Sequence, residues 1–103
     1  MTRRKGDRKG IELDGSTIKS EIEFHKKLAS TLTVSESYGN NLNALWDLLS
    51  ANIERPLELV WKNSNDSKNS MGDTFGKIVN ILDRVKVQDE NFGWNEKFIY
   101  RLE

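Results

Sequence analysis

The sequence predicts an α/β domain, a small three-stranded parallel sheet packed with three or four helices. Three apolar, strand-like runs lie at residues 11–14, 57–61 and 97–102. The stretches between them carry the three-and-four spacing of amphipathic helices, giving the order β-α-α-β-(α)-α-β. Strands separated by helices pair in parallel through right-handed crossovers. The 103 residues suffice for one domain with a modest core. No internal repeat, linker or second domain interrupts residues 11–103, which are read as a single domain.

The first strand is the alternating Ile11-Glu12-Leu13-Asp14, ended by Gly15. Ser20-Glu21-Ile22-Glu23 forms a capping box, in which Ser20 accepts an early helix amide and Glu23 reaches back. Phe24, Leu28 and Leu32 then recur at i, i+4 and i+8, so a helix is expected over 21–32. A loop over 33–41 holds Ser35, Ser37, Gly39, Asn40 and Asn41. The next helix buries Leu42, Leu45, Leu49 and Ile53, with Asn43 and Asp47 on a flank turned away and Trp46 at the border. Arg55-Pro56 stops it and favours an extended chain. Leu57-Glu58-Leu59-Val60-Trp61 is the second strand. Residues 63–72, with three serines and three asparagines, allow only a short, weak helix. Asp73 or Thr74 is the expected cap of the following helix, whose core face is Phe75, Ile78, Val79, Leu82 and Val85. A turn over 91–95 leads to the last strand.

Composition narrows the function. Hydrophobic residues at 36% and charged residues at 31% fit a soluble globular chain. No apolar run approaches the ~20 residues of a membrane span. No apolar h-region follows the basic N-terminus, so no secretory leader is expected. The absence of cysteine excludes disulfides and thiolate metal sites and suits the cytoplasm, the expected location. The zero net charge is uneven. Residues 1–10 carry Arg3, Arg4, Lys5, Arg8 and Lys9 against Asp7, a net +4, which leaves −4 on the body. An acidic body favours cationic partners. Residues 1–10 read as a basic, disordered arm, with RNA binding as the alternative role for its cations.

Catalytic parts are missing. The single histidine, His25, lies on the apolar side of the first helix and reads as a packed core or boundary residue. No nucleophile elbow, phosphate loop or dinucleotide fingerprint occurs. No cluster has metal-ligand spacing, and Asp89-Glu90 reads as a solvated pair near a helix end. No enzyme, cofactor or metal is expected.

A binding surface remains. Asp47 reads either as a solvated helix aspartate or as a contact. Trp46 reads as core or contact, and Tyr38 as a core plug or a presented hydroxyl. Gly39 is expected to permit a turn conformation that other residues avoid, and Asn41 to cap the helix opening at Leu42. Together, Tyr38-Gly39-Asn40-Asn41-Leu42-Asn43-Ala44-Leu45-Trp46-Asp47-Leu48-Leu49 reads Y-G-x-N-L-x-A-L-W-D-x-L. With Gly15–Ile18 as G-x-x-I, the His-bearing first helix and Pro56–Trp61 as P-L-x-L-x-W, it closely resembles the barstar family of intracellular ribonuclease inhibitors. The resemblance spans residues 11–61 without an obvious gap and continues more weakly to the C-terminus.

That resemblance implies a barstar-like fold and an immunity protein or antitoxin. Such a protein would block the cationic active site of a nuclease toxin, a ribonuclease by expectation, with the loop and helix over 37–54. The family's hot-spot aspartate falls on Asp47, with Trp46, Asn41, Gly39 and Tyr38 at other motif positions. Ser37 stands where the family pattern has a tyrosine, Asn43 where it has a second aspartate, and Asn52 where it has a tryptophan. Arg84, beside Asp83, stands where an acidic contact is expected. The rival reading is a non-inhibitory interaction module on the same scaffold.

Overall fold

The computed structural model describes residues 9–93 and 95–103. Its elements follow the predicted order: β1 (Lys9–Asp14), α1 (Glu21–Thr31), α2 (Leu42–Ala51), β2 (Leu57–Lys62), α3 (Ser64–Met71), α4 (Asp73–Asn91) and β3 (Phe98–Leu102). The sheet order is β1-β2-β3 and both pairings are parallel. Each crossover carries two helices. β1 opens at Lys9, two residues before the alternation becomes visible. Arg3, Arg4, Lys5 and Arg8 lie outside the described residues.

The strand period of two divides the sheet. Ile11 and Leu13 of β1, Leu57, Leu59 and Trp61 of β2 and Phe98 of β3 join one hydrophobic core with residues of α1, α2 and α4. The register aligns Ile11 with Leu59 and Leu13 with Trp61, so large side chains lie side by side. The opposite face carries Glu12, Glu58 and Arg101, with Arg101 Nε 3.6 Å from Glu58.

Trp61 is the centre of this core. It is fully buried, stacked on Phe24 at 4.9 Å and tilted against Phe75 at 4.9 Å. Its indole N–H donates to Ser67 Oγ at 3.2 Å, and Ser67 Oγ donates to the Gly15 carbonyl at 2.9 Å. The polar segment over 63–72 is therefore a full helix, α3, because two of its serines are buried partners. Gly15 is required by space: a Cβ there would overlap the Asn63 and Lys62 carbonyl oxygens.

Helix ends and core faces differ in detail from expectation. Ser20 caps α1 by accepting from the Glu23 amide at 3.3 Å, but Glu23 accepts from Lys19 N–H rather than from Ser20. Gly72, not Asp73 or Thr74, occupies the N-cap position of α4, and Asp73 is its first helical residue. Leu48 and Ile81 are buried, whereas Leu42, Ile53 and Val79 are partly buried at the core's edge.

The reading of Asp89 as solvated is overturned. Asp89 is fully buried in the last turns of α4 and forms a forked pair with Arg55, whose Nε and Nη2 lie 2.8 and 3.1 Å from its two oxygens. It also accepts the Phe98 amide at 2.8 Å. Burial alone would raise its pKa, but the Arg55 hydrogen bonds and the Phe98 amide outweigh it and hold the carboxyl below its ordinary value. Glu90, its neighbour, is exposed and pairs with Lys86 at 3.1 Å. Asp89 thus ties the end of α4 to the entry of β2 and the start of β3.

Candidate binding interface

The loop that leads to α2 begins with the way α1 stops. Leu32 is the C-cap, and Thr33 takes the left-handed conformation at φ 57°. The Thr33 amide donates to Ser30 O at 3.2 Å and the Val34 amide to Ala29 O at 2.9 Å. These are the paired bonds of a Schellman stop. The Val34 carbonyl then accepts the amides of Ser37 and Tyr38, both at 3.1 Å, and Ser37 Oγ at 3.4 Å. The chain is folded back on itself and directed into α2.

Tyr38 plugs the core beneath this loop. Its ring is 8% exposed, and its hydroxyl shares a 2.7 Å hydrogen bond with His25 Nδ1. His25 is fully buried, as expected, and its Nε2 lies 2.9 Å from Glu21. Burial, then the Glu21 charge, push the Tyr38 phenol well above its ordinary value, so it keeps its proton. Tyr38 therefore anchors the loop to α1 and sets its shape.

Gly39 does not supply the left-handed conformation expected of it. The left-handed residue is Asn40, at φ 55°. Gly39 is constrained by space instead: a Cβ would stand 3.2 Å from Ala44 Cβ and 3.3 Å from Asn41 Nδ2. Asn41 is the N-cap. Its Oδ1 accepts the Ala44 amide at 2.8 Å and its Nδ2 donates to Gly39 O at 3.1 Å. Both ends of the Asn41 amide thus hold the loop–helix junction.

Helix α2 stands out as a ridge. Leu45, Leu48 and Leu49 fasten it to the core, while Asn43 and Asp47 are exposed one turn apart on its outer side. Among the described residues, no cationic side chain pairs with the Asp47 carboxylate. Asn52 closes the helix. Its amide N–H reaches the Leu48 carbonyl and its Nδ2 donates to Asp47 O at 2.9 Å, which fixes the backbone beneath that carboxylate.

Two hollows flank the ridge. One, of about 430 Å³, is lined by Ser37, Tyr38, Gly39, Asp47 and Asn52 together with Val34, Ala44 and Leu48. It brings five of the eight predicted contact residues together. Asn41 and Asn43 are exposed outside its lining. Trp46 is half-buried on the other flank, where the Arg84 guanidinium lies 4.8 Å above its ring. There the second hollow, of about 580 Å³, runs between α2 and α4 and is lined by Leu42, Asp73, Gly76, Lys77, Asn80, Ile81 and Arg84. Asp83 points elsewhere and accepts the Tyr100 hydroxyl at 3.1 Å.

Sequence reasoning named Arg84 but missed its cation–π contact with Trp46, and it missed Lys77. The spacing of residues 77, 80 and 84 along one helix face was the available signal. Among the described residues, no three His, Cys, Asp or Glu side chains gather as a metal site. No helix among them is long and apolar enough to cross a membrane.

The arrangement is a ridge fastened to the core, a carboxylate that pairs with no cation among the described residues, and two flanking hollows. The family described as Barstar (barnase inhibitor) matches residues 8–100, from the start of the sheet nearly to its end. A curated protein of Bacillus subtilis (strain 168), named "Putative ribonuclease inhibitor YrdF", is 30% identical over 76 residues. That alignment covers 74% of this chain and 84% of the relative. With the three-stranded parallel sheet and the loop–α2 ridge in place, these matches establish that the chain belongs to the barstar family.

Proposed function

We propose that this chain is a non-enzymatic, cytoplasmic immunity protein that binds a nuclease toxin, a ribonuclease by class, and occludes its active site with the loop and helix over 37–54. The observation that carries the reading is Asp47. Its carboxylate is exposed on a helix locked to the core, next to a built hollow, and no cation of its own chain pairs with it among the described residues. A ribonuclease active site must be cationic to hold RNA phosphates. A carboxylate delivered there takes the place of a phosphate, forming charge-assisted hydrogen bonds to arginine, lysine or histidine.

The other predicted residues divide by role in this reading. Asn43 and Ser37 are exposed polar contacts. Tyr38, Gly39, Asn41 and Asn52 shape and fasten the loop and ridge. Trp46 stiffens the flank of α2. Ser37, Asn43 and Asn52 stand where the best-known inhibitor of the family carries aromatic or acidic groups, so the cognate nuclease need not be the enzyme of the family's description.

The test is Asp47→Ala, measured by calorimetry and by inhibition against a panel of purified secreted bacterial ribonucleases, barnase included. The expected outcome is a loss of at least about 2 kcal/mol in binding, the threshold for an interface hot spot, which the aspartate of the barstar–barnase pair itself illustrates. The melting transition should not move by more than a surface substitution allows, within about 0.5 kcal/mol. Undiminished affinity in the variant would refute the active-site reading.

A further inference from the structure

The flank of α2 that faces α4 differs in charge from the flank that carries Asp47. Arg84 lies with its guanidinium 4.8 Å from the Trp46 ring centroid. A guanidinium within this distance of an indole face is attracted to the ring, and its N–H groups can still donate to an anion such as a carboxylate. Lys77 stands two turns earlier on the same face of α4 and lines the same hollow. Both are exposed, and among the described residues neither has an ion-pair partner. Leu42 and Ile81 give the hollow an apolar floor, and Asp73 is the one acid among the described residues that line it.

We propose that the α2–α4 hollow is a second contact patch, which binds a carboxylate-bearing segment of the partner nuclease through Arg84 and Lys77. The proposal rests on the nuclease-inhibitor reading and adds to it the chemistry of the partner's surface. That partner carries a cationic cleft that accepts Asp47 and, beside it, an acidic patch that meets Arg84 and Lys77. A charge-split interface of this kind fixes docking register and rejects nucleases that are basic throughout, since like charges would then meet over α4. The neutral residues at 37, 43 and 52 fit the same picture, because selectivity has moved from the loop side of the ridge to the α4 side.

The experiment uses the full chain and, as probe, whichever member of the ribonuclease panel the intact protein inhibits most tightly. Arg84→Glu and Lys77→Glu should each weaken binding at least tenfold, and Arg84→Lys should weaken it less. Lys26→Glu, on the exposed face of α1, should stay within twofold. A double-mutant cycle with carboxylates of the nuclease should locate an acidic partner for Arg84. If Asp47→Ala abolishes inhibition while Arg84→Glu and Lys77→Glu stay within twofold, the second patch is refuted and the inhibitor reading stands. If no ribonuclease binds the intact chain, both fall. Arg84-dependent binding of a free oligoribonucleotide at physiological salt would identify the patch as a phosphate site and overturn its assignment to a protein carboxylate.

Discussion

Asp47 and Asn41 are both polar, exposed and six residues apart, yet the structure gives them opposite duties. Asn41 spends both ends of its amide on the chain, capping α2 and holding Gly39. Asp47 spends none of its carboxylate on a cation of the described chain. Asn41→Ala should therefore cost about 1 kcal/mol of stability through the lost N-cap, with Asn41→Asp retaining most of it. Chemical denaturation of the two variants checks this. The cap was readable from the sequence, because asparagine before an apolar-periodic run is a standard start signal. The role of Gly39 was not, because glycine alone does not say whether conformation or space demands it. The left-handed backbone sits one residue later, at Asn40, and the tight contact comes from Ala44 in the next helix. Tyr38 was legible as one of two alternatives, and the position of His25 thirteen residues away decides between them.

At the scale of elements, hydrophobic period was enough to locate α1, α2, α4 and the strands, and tertiary partners decided the rest. Helix α3 is the instructive case. Its segment is polar enough to suggest a weak helix, yet Ser64 and Ser67 are buried. Ser67 relays a hydrogen bond from Trp61 to the Gly15 carbonyl, joining three elements through one hydroxyl. Ser67→Ala would leave a buried indole N–H and a buried carbonyl without that partner. The expected cost is about 1–3 kcal/mol. It should appear in thermal unfolding and as a change in Trp61 emission, with nuclease binding per folded molecule preserved. Helix α4 shows the opposite failure. Its stripe of Phe75, Ile78, Leu82 and Val85 continues at the same spacing to Asp89, so the period itself points the carboxylate inward. What the local sequence does not display is Arg55, thirty-four residues earlier, which makes that burial tolerable.

Across the whole molecule, the Arg55–Asp89 pair joins the start of β2, the end of α4 and the start of β3. It also sets an acid limit on stability. The Asp89 pKa is lowered in the folded state, so its contribution is fully present above the ordinary carboxylate value of about 3.9. It is lost as pH falls below that value through the folded pKa. Asp14, lowered by hydrogen bonds from Asn63 and Ser16, acts in the same direction. Asp89→Asn removes the buried carboxylate that pairs with Arg55 and should cost about 3–5 kcal/mol, as for other broken buried pairs. Denaturation from pH 6 to pH 2 should show a shallower loss of stability in the variant than in the parent chain.

The fold thus holds one ridge rigid: Tyr38 and His25 fasten the loop below it, Asn41 and Asn52 close its two ends, and the leucines of α2 bind it to the core. Rigidity of that kind matters to an inhibitor, since ordering a loop at the moment of contact subtracts from affinity. The most direct test is competition. The dissociation constant of the chain for its ribonuclease should be measured against rising concentrations of an uncleavable oligoribonucleotide bound in the enzyme's active site. Mutually exclusive binding, with the apparent dissociation constant rising in proportion to oligonucleotide concentration, is the predicted result. A dissociation constant that stays fixed at saturating oligonucleotide, with all three molecules in one complex, would contradict it.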